Sequence, residues 1–189
     1  MDQIRGAYET RDQELRQKFN RSLSFQDAMD DRWERAKRLG FGDGTSIYNS
    51  ATIFGDVHVG RKTWIGPYVI LEGVGGGITI GDTCSISSGV HIYTHNTIAW
   101  ALSGGEIETQ QAPVSIGDRN YIGSQSVIAA GVRIGDGCVI AANSFVNADV
   151  ASGTVVGGTP ARVLGRVEFR DKIPVIVYDN GKVTSLTNE

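Results

Sequence analysis

Two of the three histidines, His91 and His95, stand four apart in the stretch "HIYTHNT", residues 91–97. Histidine changes protonation near neutral pH, which suits it to taking a proton from a hydroxyl or an amine. Histidines are also zinc ligands, and His58 supplies a third for such a site. Past His95 runs a stretch, residues 96–115, that holds Trp100, Glu106 and Glu108. An indole can stack on a sugar face or pin a loop down, and the carboxylates can accept from hydroxyls. Near the end, "GGTPAR" sets Gly157 and Gly158, where a backbone can come close to a ligand, before Arg162, a cation suited to phosphate.

The elements that hold these residues follow from a period of six. Aliphatic residues recur at Ile47, Ile53, Val59, Ile65 and Leu71. After a three-residue insertion within "EGVGGG" they resume at Ile80, Ile86 and Ile92, and after a longer interruption at Ile116, Ile122, Ile128, Ile134, Ile140 and Val146. Four residues beyond most of them comes a small or β-branched residue, among them Ala51, Val57, Thr63, Cys84, Val90, Ser126, Val132, Cys138, Ser144 and Val150. Neither an amphipathic helix nor a hairpin sheet has this period. It fits a chain wound into coils, with three hexapeptides to a triangular turn and the aliphatic and small residues sharing the interior. Burying each aliphatic side chain is worth roughly 1.5–3 kcal/mol. Cys84 and Cys138 fall at the small interior position, so both are expected as separate core thiols, reduced, with a disulfide as the alternative. The fold class expected is mainly β: a parallel β-helix over residues 45–166, a helical segment over 1–44, and a hairpin over 167–189 with Asn180-Gly181 in its turn. In the N-terminal segment, Ile4, Tyr8, Leu15 and Phe19 share a face of a first helix. Ser24 is placed to cap a second, with Phe25, Met29, Trp33, Ala36 and Leu39 as its stripe. His58 and His91 sit at corresponding repeat positions and read as corner residues. His95 lies where the wall gives way to the loop, and an irregular segment of that length inside a compact domain points to function.

The pattern "GVHIYTHNT…APVSIGDRNYIGSQSVIAAGVRIGDGCVIAANSFVNADVASGTVVGGTPARVLGR" resembles the acetyl-CoA-dependent sugar acetyltransferases among the hexapeptide-repeat acyltransferases. The resemblance covers about residues 45–166. It implies a left-handed coil, whereas parallel crossovers in general are right-handed in about 98% of cases. It also implies a homotrimer with sites between neighbouring prisms, acetyl-CoA as co-substrate, no metal, and a sugar or nucleotide-sugar acceptor. The catalytic histidine of that group maps to His95, with His91 as the other candidate, because "HN" replaces the group's frequent His-Pro and the spacing is two residues shorter. The backbone N–H of Ser124 maps to a contact with the thioester carbonyl, and Ala142, one coil on, to the pantetheine arm. Asn147 maps to the outer part of the cofactor, and Thr159 and Arg162 to its adenine nucleotide. Ala148 stands where relatives carry lysine, and Arg166 is the candidate replacement. Trp100 and Glu106 are candidates for the acceptor.

Two other classes remain open at this point. One is a zinc enzyme like the carbonic anhydrases of the same fold, using His58, His91 and His95, although "HIYTH" has three residues inside the pair where that family has four. The other is a β-helix scaffold without catalysis. The net charge of −3 gives no reason to expect nucleic acid, and no run of the sequence approaches a membrane span. The opening "MDQIRGAYETRDQELRQ" is charged and does not read as a signal peptide, so a cytoplasmic protein is expected.

Overall fold

In this computed structural model, which describes residues 2–187, the chain from Ser46 onward winds as a left-handed parallel β-helix. Three ladders form its walls. The first runs through Ser46–Ile47, Trp64–Ile65, Ser85–Ile86, Tyr121–Ile122, Val139–Ile140 and Thr154–Gly158. The second stacks Ile53, Leu71, Ile92, Ile128 and Val146. The third stacks Val59, Ile80, Ile116 and Ile134, and Val150 bridges to its end. The six-residue period thus places one aliphatic side chain on each wall in turn. Ile47, Ile65, Ile86, Ile122 and Ile140 are all completely buried.

The glycine and aspartate of the repeated "IGD" have a joint purpose at one corner of the prism. The Asp82 carboxylate accepts from the Arg61 amide at 2.7 Å, Asp118 from the Asp82 amide at 2.8 Å, and Asp136 from the Asp118 amide at 2.9 Å. Each coil therefore satisfies the corner of the one before it. The glycine makes room for this. A Cβ on Gly117 would lie 2.2 Å from Asp136 Oδ1 and 3.0 Å from the Gly135 carbonyl carbon. Gly117→Ala is expected to cost about 1–3 kcal/mol through this overpacking. A thermal melt should show it as a drop of about 2–4 °C per kcal/mol for a chain of this size.

A second column lies just inside the same corner. Thr45, Thr63, Cys84, Asn120 and Cys138 are all buried there. Thr63 Oγ1 accepts from the Cys84 amide at 3.0 Å, and Asn120 Oδ1 accepts from the Cys138 amide at 2.6 Å. The cysteines are free, buried and two coils apart from one another, with Asn120 in the coil between them, as expected for interior thiols. Burial pushes both thiols above their ordinary pKa. Ile53 and Val57, expected inside, are only partly buried, since the first coil has a neighbouring coil on one side alone.

The N-terminal segment departs from the expected pair of helices. α1 spans Asp2–Phe19, but the second helix is split into α2, Phe25–Met29, and α3, Arg32–Arg38. The break lies at Asp31, whose side chain caps α3 by accepting from the Trp33 and Glu34 amides at 2.9 and 3.1 Å. Ser24 caps nothing; its hydroxyl donates to Asp27. The expected stripes are largely uncovered. Ile4, Phe19, Phe25, Met29, Trp33 and Leu39 are exposed, while Leu15, Ala28 and Ala36 are buried. Contact with the prism is made instead at its open end, where Ala36 and Phe41 join the interior cluster. Arg35 donates to the Tyr48 and Ala51 carbonyls of the first coil, and the Ser50 amide donates to Asp27.

At the other end, Ala161–Arg170 turns back antiparallel on Thr154–Gly158, crossing the boundary expected at residue 166. The expected hairpin follows: Ile173–Tyr178 pairs with Val183–Ser185, and the Gly181 amide donates to the Tyr178 carbonyl at 2.9 Å.

Candidate active site

His95 is held by a residue the sequence reading did not single out. His91–Tyr93 is a strand of the second wall, and Leu71 and Glu72 of the previous coil pair with Ile92 and Tyr93. Glu72 points outward by strand alternation, yet it is only 6% exposed. Its Oε2 lies 2.7 Å from His95 Nδ1 and accepts from the Thr94 amide at 3.2 Å, and its Oε1 accepts from the Val74 amide at 2.9 Å. Burial pushes the Glu72 carboxyl up, but the bond from His95 and those from the Thr94 and Val74 amides outweigh it and hold the group below its ordinary range.

This contact fixes the tautomer. An ionised carboxylate only accepts, so Nδ1 carries the proton and Nε2 presents its lone pair. The His95 side chain is 36% exposed, so that lone pair can meet a substrate. The three-residue insertion within "EGVGGG" supports the arrangement. The Gly75 amide donates to Thr94 Oγ1 at 2.8 Å, and Thr94 Oγ1 donates to the Glu72 carbonyl at 2.7 Å. A Cβ on Gly75 would lie 2.3 Å from the Thr94 carbonyl oxygen and 3.0 Å from His95 Cβ, so only glycine lets the insertion lean on His95.

The loop leaves the wall at His95 through a short antiparallel pair, His95–Asn96 with Gln110–Gln111. Inside it is a helix, Ile98–Leu102, α4. Trp100 is half-exposed on α4 beside Gly105. Glu106 and Glu108 are exposed. His91 is engaged elsewhere, its Nδ1 3.2 Å from Tyr93 Oη, and His58 lies 3.0 Å from Asp56 on the exposed first coil. The three histidines do not converge, and among the described residues no three His, Cys, Asp or Glu side chains form a metal-holding group.

The positions mapped to the cofactor divide between two corners. Ser124, Ala142 and Thr159 follow one another along the corner between the first and second walls. There the Asn143 amide donates to the Ser124 carbonyl at 2.9 Å, and Thr159 Oγ1 donates to the Asn143 carbonyl at 3.0 Å. Among the described residues, the amides of Ser124 and Ala142 meet no protein acceptor, so both are free to donate outward. Asn147 lies past the second wall, on the corner that carries His95. Arg162 is exposed, and among the described residues its guanidinium donates only to the Ala161 carbonyl, at 2.8 Å. Arg166 is occupied by Glu168 at 2.6 Å, which weakens its case as a phosphate ligand. Ser88 precedes Ser124 by one coil on the first corner, where the Gln125 amide donates to its carbonyl. From Ser88 to His95 the chain crosses the whole second wall, on the order of 15–20 Å at the rise of a strand. Within one chain the free amides and His95 are therefore too far apart to meet one small reacting group.

Comparisons with known proteins agree with the coil. The model of the bacterial transferase hexapeptide (six repeats) matches residues 113–148. The chain is 30% identical over 134 residues to galactoside O-acetyltransferase of Escherichia coli (strain K12), covering 60% of this chain and 66% of that protein. It is 49% identical over 67 residues to 2,3,4,5-tetrahydropyridine-2,6-dicarboxylate N-acetyltransferase of Staphylococcus aureus (strain bovine RF122 / ET3-1), covering 35% of this chain and 28% of that protein. The chain spans about a third or less of the length of the first curated relatives it matches. Among solved structures, a hexapeptide-repeat acetyltransferase of Vibrio cholerae O1 biovar eltor complexed with acetyl-CoA superposes with a TM-score of 0.51 at 29% identity, covering 85% of this chain and 87% of that one.

Proposed function

As a member of the hexapeptide-repeat acetyltransferases, this chain, we propose, moves an acetyl group from acetyl-CoA to a hydroxyl or amine of a sugar, a polysaccharide or nucleotide-sugar precursor. The observation that carries the reading is the Glu72–His95 pair, with a free Nε2 at the mouth of the loop. His95 takes the proton from the acceptor as that atom attacks the thioester carbon. The free amide of Ser124 donates to the developing oxyanion. The intermediate collapses with release of the thiolate, which receives the proton from the His95 imidazolium, giving free thiol and acetylated acceptor. Glu72 stays ionised and steadies the imidazolium, and no acyl-enzyme is needed. The Ala142 amide lies one coil beyond Ser124 along the pantetheine, with Thr159 and Arg162 at the nucleotide end. Trp100 and Glu106 face the acceptor. The separation of the two corners supports a homotrimer in which His95 of one chain and Ser124 of the next complete a site. Among the described residues, no helix is long and apolar enough to cross a membrane, and the reading sets the enzyme in the cytoplasm. The relatives share an acetyl donor while their acceptors differ, so the deciding experiment is thiol release from acetyl-CoA against a panel of sugars, oligosaccharides and nucleotide sugars. Release above the rate with acetyl-CoA alone, dependent on a sugar, supports the reading; amine acids as the sole acceptors overturn the sugar assignment.

Glu72→Gln tests the pair. The amide can donate to Nδ1, which moves the proton to Nε2 and blocks the base. Turnover is expected to fall about tenfold or more with the trimer intact. The pH response has a definite sign. A carboxyl whose folded pKa is depressed stabilises the fold above its ordinary range, and that contribution is lost as the pH falls through the folded value. The stability difference between wild type and Glu72→Gln, from denaturant titrations, should hold at neutral pH and shrink as the pH drops below about 4.5.

A further inference from the structure

The helical segment does more than close the prism. Between α1, α2, the start of α3 and the first coil opens a cleft of about 700 Å³, within the range of small-ligand sites. The acids that line it are all committed. Glu14 pairs with Arg11, Asp27 accepts from the Ser50 amide, Asp30 pairs with Arg38, and Asp31 caps α3. Of its cations, Arg11 is taken by Glu14, while the other three form no ion pair among the described residues. Among the described residues, Lys18 and Arg21 meet no carboxylate. Arg32 donates only to Tyr48 Oη, at 3.2 Å, its guanidinium held 4.1 Å over the Trp33 ring and 5.4 Å from that of Tyr48. A ligand here meets three cations that form no ion pair among the described residues, beside exposed aromatic faces, while Asp27 and Asp31 stay charged but are engaged by backbone amides; cations beside rings suit a phosphate ester carried on a ring.

The position of the cleft in the coil says what it serves. Its floor includes Asn49, which occupies the same corner as Ser124. The corner column runs from Ser50 to Tyr68, Pro67 to Gly89, Ser88 to Gln125 and Ser124 to Asn143 by successive hydrogen bonds. Asn49 is thus three coils below Ser124, about 14 Å at the spacing of strands, on the side away from Ala142 and Arg162. We infer that the cleft seats the nucleoside diphosphate end of a nucleotide-linked sugar, whose sugar reaches up the corner to the thioester. This rests on the acetyl-transfer reading above and narrows its acceptor.

The test is calorimetry on the full chain without acetyl-CoA, using UDP as probe, with inorganic pyrophosphate and uridine as separate arms. UDP should bind, and more tightly than either fragment. Arg32→Ala, and separately Lys18→Ala with Arg21→Ala, should each weaken UDP roughly tenfold or more, as for loss of charge-assisted bonds. The double variant should melt close to wild type, because neither cation pairs with a carboxylate among the described residues and Lys18 gives up only its exposed place over the Phe19 ring. No UDP binding at millimolar concentration, or binding untouched by both variants, overturns the proposal. Pyrophosphate binding as tightly as UDP overturns it as well, leaving an anion patch. UDP binding that the variants abolish, with no acetyl transfer to any sugar, supports the nucleotide seat and counts against the transfer reading instead.

Discussion

His95→Ala should lower turnover by about two to four orders of magnitude, the contribution of a general base. The affinity for acetyl-CoA and the melting temperature should stay close to wild type, because the imidazole is partly exposed and makes one side-chain contact. Removing it leaves Glu72 with the Thr94 and Val74 amides, so the carboxylate is not orphaned. His91→Ala is the control. His91 touches Tyr93 on the outer surface of the wall and should be dispensable for turnover. Single-turnover measurements of thiol release would read both. An inactive His91 variant beside an active His95 variant would reassign the base.

Ser124→Pro should cost about 10²–10³ in turnover, as for loss of one oxyanion donor. The substitution is unusually clean, because Pro67 already occupies the equivalent corner position two coils earlier, also after a glycine. The coil accepts proline there, so the change removes one N–H and leaves the fold, which a melting curve would verify. It also tests how sites are shared. If His95 of one chain works with Ser124 of the next, mixing denatured His95→Ala and Ser124→Pro chains and refolding them together should restore part of the activity that neither shows alone. If each chain carries a whole site, the mixture stays as dead as its components.

The hexapeptide period made the coil legible because its stacking is local. Each aliphatic residue repeats the environment of the one eighteen back, so a pattern in the sequence is a pattern in space. His95 was legible for a related reason, since it stands where that pattern stops. Glu72 was not. It occupies an outward position at which any polar residue satisfies the repeat, and only the next coil, by laying Thr94 and His95 over it, turns that position into a buried one. Asn120 was hidden in a slot otherwise filled by Thr and Cys, because its fitness depends on corner carbonyls of two coils, 2.9 Å from its Nδ2, and not on its size or hydropathy. The split of the second helix was hidden as well. Phe25, Met29, Trp33 and Ala36 keep helical spacing across it, and Asp31 reads as a surface residue until it is seen capping the amides of Trp33 and Glu34.

The plugged ends of the prism have a consequence for how the protein behaves in a crowded solution. A parallel coil is an unfinished object at both ends, for its last layer offers the same row of amides and carbonyls that every inner layer uses to bind its neighbour. Left bare, such ends would stack chain upon chain into a filament with the strand spacing of amyloid. Here Arg35 occupies the Tyr48 and Ala51 carbonyls of the first layer while Ala36 and Phe41 stopper the bore. At the far end Ala161–Arg170 reverses direction over Thr154–Gly158, so the final strand no longer matches the parallel layer it would have to extend. The helices and the reversed strand therefore act as gatekeepers of solubility, limiting a fold that could otherwise polymerise to a fixed number of turns.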